Sequence, residues 1–294
     1  MRKTALLLSF WFSLAALTIA GEPKSFELPL WENGAPGALG KEPKDIPMAM
    51  VRLPASDRPT GALVICPGGG YGGLAMGHEG HEIAEWANQM GLAAIICDYR
   101  HRSKGYGHPA PLQDAQRAIR MTRANATQWN IDATRVGIMG FSAGGHLTST
   151  VLTHFDSGNA NDTDAIAKQS SRPDFGILCY PVILFGEPKS HKGSEKNLLG
   201  ESPDPKLVES LRNDLQVTKD TPPTFLFHTQ EDKAVPPENA VQFYAAMISH
   251  GVPGELHVYE KGRHGVGLAR DLPVTSDWSN ACRRWLEGRK IVGN

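Results

Sequence analysis

Short apolar runs alternate with amphipathic stretches along most of this 294-residue chain. In the amphipathic stretches, of which residues 112–126 and 278–286 are the clearest, apolar residues recur at helical spacing. Ser276 and Asp277 are predicted to cap the last of these helices. Strands that alternate with helices are typical of an α/β fold, a mostly parallel twisted sheet with helices on both faces. The predicted strands are residues 62–66, 93–97, 136–139, 175–180, 224–228 and 256–259, with residues 48–53 as a further strand at the sheet edge.

The net charge limits which partners the chain can bind, and the order of its segments indicates its domain organisation. The formal net charge is −1, so the chain offers no basic field for nucleic acid or an anionic membrane surface. We therefore expect an uncharged or weakly charged substrate. No linker or internal repeat divides residues 21–294, which are expected to form one domain. A long polar segment, residues 186–223, interrupts the alternation, and two interpretations stay open: a lid over the active-site mouth or a surface excursion along the sheet edge.

The first twenty residues have the pattern of an export signal. Arg2 and Lys3 precede an apolar run over residues 5–19, and the small residue Ala20 stands where a signal peptidase would cut. The run is short for a membrane span, so a permanent anchor is the weaker alternative. We expect residues 1–20 to be a signal peptide and the protein to be exported to the periplasm or secreted.

Four cysteines follow, and none lies in a motif for a thiol nucleophile. Cys66, Cys97 and Cys179 lie within apolar strand-like runs and Cys282 on a helix, so buried free thiols are expected. A bridge between Cys66 and Cys97 stays open if their strands are neighbours.

The motif Gly140-Phe-Ser-Ala-Gly144 stands between a predicted strand and a predicted helix. A serine with small residues at both second neighbours suits the sharp strand-to-helix turn that presents a nucleophile. An ordinary glycine-rich turn is the alternative. A serine hydroxyl needs a base, a carboxylate that orients the base, and donors for the oxyanion, so the remaining loops decide.

The loops after two later strands supply an acid and a base. Glu231 and Asp232 follow the strand 224–228, and His264 lies in a glycine-bounded loop after the strand 256–259. The chain order serine, acid, histidine is that of α/β-hydrolases. An aspartate that only caps the following helix is the alternative for Asp232.

Other histidines receive structural interpretations. His146 is expected to pack or form hydrogen bonds beneath the site, and His228 to be structural. His78 and His81, with neighbouring glutamates, lack the four-residue spacing of a zinc-protease motif, so no metal site is predicted. Acids at a helix N-terminus are the preferred account of that segment.

Three consecutive glycines, residues 68–70, follow the strand 62–66 and free backbone N–H groups to point at one spot. Gly69, Gly70 and the amide of Ala143 at the start of the next helix are the predicted oxyanion-hole donors. A phosphate-binding loop is the alternative, but no Gly-Lys-Ser/Thr sequence completes it. No cofactor is predicted.

These motifs together resemble a carbohydrate-esterase branch of the α/β-hydrolases, similar to bacterial acetyl xylan and feruloyl esterases. The resemblance implies a metal-independent secreted serine esterase that removes acyl groups from plant polysaccharides, and it favours Asp232 over Glu231. Pro67 departs from the related lipase motif, which has histidine before its glycines. The segments that carry the resemblance are residues 66–71, Asp98-Tyr99-Arg100, residues 140–146, Asp232 and His264.

The resulting hypothesis is ester hydrolysis by Ser142, His264 and Asp232 through an acyl-enzyme. Tyr71, His191 and Ser194 are candidates for lining the substrate pocket, with plain surface positions as the alternative. A serine peptidase or lactonase of the same fold is the nearest rival function, and a non-catalytic secreted sugar-binding protein is the second. The sequence leaves the sugar, the acyl group and the oligomeric state open.

Overall fold

A computed structural model describes residues 22–293, which carry one eight-stranded sheet. Its strands lie in the order β1-β2-β4-β3-β5-β6-β7-β8. The pairs β1·β2 and β2·β4 are antiparallel and the other pairs are parallel. The strands are β1 (Lys24–Pro29), β2 (Met48–Leu53), β3 (Thr60–Cys66), β4 (Ala93–Asp98), β5 (Ile131–Phe141), β6 (Gly176–Cys179), β7 (Thr224–Thr229) and β8 (Gly254–Tyr259). The helices are α1 (Glu82–Gln89), α2 (Ala110–Ala124), α3 (Ser142–Thr153), α4 (Lys192–Leu199), α5 (Pro205–Ser210), α6 (Glu238–Ser249) and α7 (Trp278–Gly288).

Helices cover both faces of this sheet, as the alternating pattern predicts. Val64 of β3 belongs to a buried cluster with Ile119 of α2 and with residues of α3 and α6. Ile65, the next residue, faces the opposite side and clusters with Ile83 of α1 and Trp278 of α7. Successive side chains of a strand point to opposite faces, so the continuous apolar runs are those of strands buried on both sides.

The sequence prediction misses the first strand. The predicted edge strand, β2, lies inside the sheet because β1 pairs with it along its whole length. β1 has the sequence KSFELP, and Phe26 and Leu28 are its only aliphatic or aromatic residues besides the terminal proline. An edge strand that is half exposed needs no continuous apolar run, so its pattern is weak.

The predicted capping of α7 is wrong. Ser276 and Asp277 belong to a 3₁₀ turn, Thr275–Asp277, that runs directly into the helix, and neither side chain caps it. The Ser276 hydroxyl donates to the Pro273 carbonyl, and the Asp277 carboxylate accepts from Asn280. A helix that continues from a preceding turn already has partners for its first N–H groups, so capping side chains are not needed.

The four cysteines are buried free thiols, and Cys66 and Cys97 stand unbridged on the neighbouring strands β3 and β4. Within residues 22–293, no helix is long and apolar enough to span a membrane. The same residues contain no group of three or more His, Cys, Asp or Glu side chains that could hold a metal ion. The predicted signal peptide, residues 1–20, lies outside the described residues.

Candidate active site

Ser142 stands at the turn between β5 and α3 with φ +53°, in the left-handed region that L-residues rarely adopt. The glycines two residues before and after it have no room for a side chain. A Cβ at Gly140 would lie 2.1 Å from the Gly144 carbonyl oxygen, and one at Gly144 would lie 2.1 Å from the Cys66 carbonyl oxygen. The motif is therefore a close backbone crossing that holds the serine against the end of β3.

Three predicted residues meet above the carboxyl ends of the strands. His264 Nε2 lies 2.7 Å from Ser142 Oγ, and His264 Nδ1 lies 2.6 Å from Asp232 Oδ2. An ionised carboxylate can accept but cannot donate a hydrogen bond. His264 Nδ1 therefore carries the proton that it donates to Asp232, and Nε2 accepts from the serine hydroxyl. Ser142 and Asp232 are buried and His264 is partly exposed, which leaves the imidazole reachable from solvent.

The Asp232 carboxylate is held from several sides. Its Oδ1 accepts from the main-chain N–H groups of Ala234 and Val235 at 3.0 and 2.9 Å. His228 Nε2 donates to the Val235 carbonyl and lies 3.4 Å from Oδ2. Burial alone would raise the pKa of Asp232, but the hydrogen bonds from His228 and His264 outweigh it and hold the pKa well below its usual range. Asp232 is therefore ionised at neutral pH.

Glu231, the competing acid, has other partners than His264. Its side chain is exposed and accepts from Lys261 Nζ at 2.8 Å and from the Gly262 N–H at 3.2 Å. The geometry selects Asp232 as the partner of the histidine.

The glycine loop after β3 lies against the start of α3. Gly69 and Gly70 both have positive φ, +129° and +63°. Neither N–H donates to another main-chain group among residues 22–293. The N–H of Ala143, in the first turn of α3, has no partner within its own helix. These three N–H groups are the predicted oxyanion-hole donors, and that assignment stays a prediction.

Two of the three predicted pocket residues come close to that loop. A Cβ on Gly70 would lie 3.9 Å from both His191 Cε1 and Ser194 Oγ. His191 Nδ1 accepts from the Ser194 N–H and lies 2.8 Å from its hydroxyl, so the proton of the neutral ring is on Nε2. Burial, followed by the charge of His264, lowers the pKa of His191. His191, the N-cap residue of α4, and Ser194, in its first turn, therefore lie beside the glycine loop.

Tyr71 is neither a pocket residue nor a surface residue. Its ring is buried against Tyr99, and its hydroxyl lies 2.9 Å from His146 Nδ1. The positive φ of Tyr71, +55°, turns the side chain down into the core. An aromatic residue next to a glycine run gives no sequence signal for that direction.

His146 is a buried structural histidine, as predicted. Nε2–H donates to the Leu211 carbonyl at 2.8 Å, the ring stacks on Phe185, and Nδ1 accepts from Tyr71. Burial lowers the pKa of His146 to about 3. The ring is therefore neutral at pH values well above 3.

The neutral His146 makes folding pH dependent. Unfolded histidine titrates near ~6.5, so between about pH 6.5 and pH 3 the unfolded state binds one proton more than the folded state. We expect His146 to remove about 1.4 kcal/mol of unfolding free energy per pH unit as pH falls through that window. Urea unfolding at pH 7.5, 6 and 5 checks this. The unfolding free energy is expected to fall less steeply with decreasing pH in His146→Gln than in wild type. Equal slopes in both proteins would contradict it.

The segment of residues 186–223 contains α4, α5 and a 3₁₀ turn, Asn213–Gln216. Asn197 of α4 donates to the Gly70 carbonyl at 2.9 Å, and Asn213 donates to the hydroxyls of Ser149 and Thr150. These contacts place the segment beside the glycine loop and α3. The interpretation as an excursion along the sheet edge is wrong, because the edges are β1 and β8.

Sequence reasoning missed two residues at this site. Asn197 holds the glycine loop, and no local motif marks it. The acids do stand at a helix N-terminus, with Glu79 in a π-helical turn, Gly77–His81, that precedes α1. Glu79, however, is buried and accepts from the Gly68 N–H at 2.8 Å. Glu79 and Glu82 are three residues apart, a spacing that is also typical of a solvent-exposed helix face. Only the packing therefore shows that Glu79 is buried.

A shallow depression of about 620 Å³ lies beside His264 and opens to solvent. Its other lining residues are Glu231, Lys233, Ala234 and Arg263, which are exposed. The histidine is therefore open to solvent on this side.

The profile of the BD-FAE family matches residues 51–247, more than half of the chain. The chain belongs to the BD-FAE family. A crystal structure of an acetyl ester-xyloside bifunctional hydrolase from Caldicellulosiruptor lactoaceticus is 43% identical, with a TM-score of 0.87 over 92% of this chain and 99% of that one. This BD-FAE chain thus has the predicted α/β-hydrolase fold.

Two curated relatives of this BD-FAE chain are larger proteins. The acetylxylan esterase of Xylanibacter ruminicola is 38% identical over 79% of this chain and 46% of that protein. Endo-1,4-beta-xylanase B of Butyrivibrio fibrisolvens is 36% identical over 80% of this chain and 36% of that protein. The chain spans less than half the length of either relative. The resemblance to carbohydrate esterases is confirmed at the level of the family.

Proposed function

We propose that this protein is a serine esterase that removes acetyl or other short acyl groups from acylated carbohydrates such as xylan. The observation that carries the proposal is the continuous hydrogen-bonded chain from Ser142 Oγ through His264 to Asp232. An ionised aspartate, a correctly oriented imidazole and three free N–H donors are what acyl transfer needs.

In the proposed mechanism, Ser142 Oγ attacks the ester carbonyl carbon while His264 Nε2 takes the hydroxyl proton. The carbonyl oxygen becomes an oxyanion that accepts from the N–H groups of Gly69, Gly70 and Ala143. Collapse breaks the bond to the sugar oxygen, which leaves as an alcohol with the proton from His264. Water, deprotonated by His264, then attacks the acyl-enzyme, and collapse releases the carboxylic acid and restores Ser142.

Asp232 remains ionised throughout the proposed cycle. It keeps the proton of the neutral imidazole on Nδ1 and stabilises the imidazolium that forms when Ser142 loses its proton. The main-chain donors on Asp232 Oδ1 fix the carboxylate, so the orientation of the ring depends on the backbone after β7.

The substrate class is supported by the named relatives and by the open site. An acetylxylan esterase and an acetyl ester-xyloside hydrolase are among the similar proteins. The depression beside His264 opens to solvent, which suits an ester carried on a polymer. His191 and Ser194 stand next to Gly70, and in this proposal they border the acyl group or sugar.

The test compares acetate release from acetylated xylan with hydrolysis of a short aryl acetate. We expect wild type to act on both, and Ser142→Ala to act on neither above background. Ser149→Ala is the matched control, because Ser149 is buried in the same helix but bonds only Asn213 and the His146 carbonyl. Activity in Ser142→Ala would refute the nucleophile, whereas aryl ester hydrolysis without acetate release from xylan would refute the polysaccharide substrate.

We also propose that the protein is exported, with cleavage after Ala20. The basic residues Arg2 and Lys3 and the apolar run that follows them support this. N-terminal sequencing of protein from the periplasm or medium is expected to begin at Gly21. Retention in the cytoplasm with Met1 intact would contradict the proposal.

A further inference from the structure

The Glu79 carboxylate lies buried beneath the site and is not part of the proposed triad. Its Oε2 accepts from the Gly68 N–H, and its Oε1 accepts from the Tyr180 hydroxyl, both at 2.8 Å. His78 Nε2 lies 3.6 Å from Oε1 on the half-exposed side, and the hydrogen bond to Glu79 raises the pKa of His78. Both carboxylate oxygens are therefore committed to groups that belong to loops of the active site.

The first of these loops carries the predicted oxyanion donors. A Cβ placed on Gly68 would lie 2.7 Å from Glu79 Oε2, 2.9 Å from the Ser142 Cβ and 2.8 Å from the Phe141 carbonyl oxygen. Gly68 is thus enclosed by Glu79 on one side and the nucleophile turn on the other. Its N–H bond to Glu79 fixes the residue directly before Gly69, so a shift there moves the oxyanion donors relative to Ser142 Oγ.

The second contact leads to the loop of the histidine. The Tyr180 hydroxyl, which follows β6, donates to Glu79 and accepts from the Gly267 N–H at 2.9 Å. The Tyr180 ring also packs edge-on against His264, with 5.2 Å between ring centroids. Burial, followed by the charge of Glu79, raises the pKa of Tyr180 well above its usual range, so its hydroxyl keeps the proton that it donates.

We propose that Glu79 is a positioning residue that sets the distance between the oxyanion donors and the Ser142–His264 pair. One carboxylate oxygen holds the glycine loop and the other, through Tyr180, holds the loop that carries His264. This inference rests on the proposed esterase function. This role needs two acceptor oxygens on one side chain, since the Gly68 N–H and the Tyr180 hydroxyl both donate to it.

A glutamine at this position keeps the shape but only one of the two acceptors. Its oxygen can still accept from Gly68, while its amide must face a hydroxyl that already accepts from Gly267. We expect Glu79→Gln to lower kcat by about 10- to 100-fold with KM within about twofold, because a displacement of the oxyanion donors acts on the transition state. Glu85→Gln, at an exposed acid of α1, is the matched control and is expected to retain wild-type kinetics.

Two further measurements separate positioning from folding. The rate at which a fluorophosphonate labels Ser142, followed by mass spectrometry, is expected to fall by the same factor as kcat in Glu79→Gln. Tyr180→Phe removes the link to Gly267, and its effect on kcat combined with Glu79→Gln is expected to be less than the product of the two single effects. A purely structural role would lower thermal stability while leaving kcat and the labelling rate of the folded fraction unchanged.

The outcomes distinguish this proposal from the esterase proposal. If kcat and labelling in Glu79→Gln match those of Glu85→Gln, the positioning role is refuted and the esterase function stands. If wild type hydrolyses no ester but is labelled at Ser142, and Glu79→Gln is labelled more slowly, the esterase function is refuted and the positioning role stands. If wild type and Ser142→Ala react alike with the fluorophosphonate, both are refuted.

Discussion

Asp232→Asn is expected to lower kcat by about 10⁴-fold while the protein stays folded. The main-chain N–H groups of Ala234 and Val235, at 3.0 and 2.9 Å, hold an oxygen at the Oδ1 position. They outweigh the longer approach of His228, 3.4 Å from Oδ2, so the new amide nitrogen faces His264 Nδ1. The amide N–H then donates to Nδ1, so the ring proton stands on Nε2 and the imidazole can no longer take the proton of Ser142.

Steady-state kinetics on an aryl acetate, with thermal unfolding alongside, measures this effect. Glu231→Gln is the matched control, because the adjacent acid is exposed and pairs with Lys261. We expect its kcat to stay within about twofold of wild type, since this ion pair is exposed and screened by solvent. A large loss in Glu231→Gln together with a small loss in Asp232→Asn would reverse the assignment of the acid.

Among the variants proposed for this protein, Gly144→Ala is expected to cause the largest loss of unfolding free energy. The added Cβ would lie 2.1 Å from the Cys66 carbonyl oxygen and 2.5 Å from that of Pro67, and both are backbone atoms at the end of a central strand. The strand end and α3 must separate to admit it. Overpacking costs of about 3 kcal/mol correspond to a fall in Tm of roughly 6–12 °C for a domain of this size.

Thermal unfolding of Gly144→Ala and Gly288→Ala side by side tests the prediction. Both glycines lie in helices, but a Cβ on Gly288, at the end of α7, would meet nothing within 4 Å. Gly288→Ala is expected to keep or slightly raise the Tm, because alanine is the better helix former. Equal Tm values for the two variants would mean that the close contact between α3 and the end of β3 can admit a side chain at residue 144 without loss of stability.

Strands buried on both faces could be predicted from the sequence, because their apolar runs are continuous. The predictions for β3, β4 and β7 differ from the observed bounds by at most two residues at either end. Edge strand β1 could not be predicted, since one of its faces meets solvent and its pattern is weak. The predicted side-chain cap of α7 is absent, because the preceding 3₁₀ turn runs directly into the helix.

Some residues of the candidate site could likewise be predicted from the sequence and others could not. Ser142, Asp232 and His264 could be found because each follows a recognisable strand, and the ends of parallel strands meet at one edge of the sheet. Tyr71 could not be assigned, because a positive φ decides whether its side chain enters the pocket or the core. Glu79 and Asn197 act across 11 and 127 residues of sequence on the glycine loop, and no local spacing encodes such contacts.

The sequence by itself determined the order of strands and helices, the nucleophile turn and the residue types of the triad, because these depend on periodicity and on short motifs. Only the tertiary structure decided which acid faces His264, that Tyr71 is buried, and that a buried glutamate joins the glycine loop to Tyr180. The physical reason is that side-chain direction and hydrogen-bond partners are fixed by packing between elements distant in sequence, which no local pattern records.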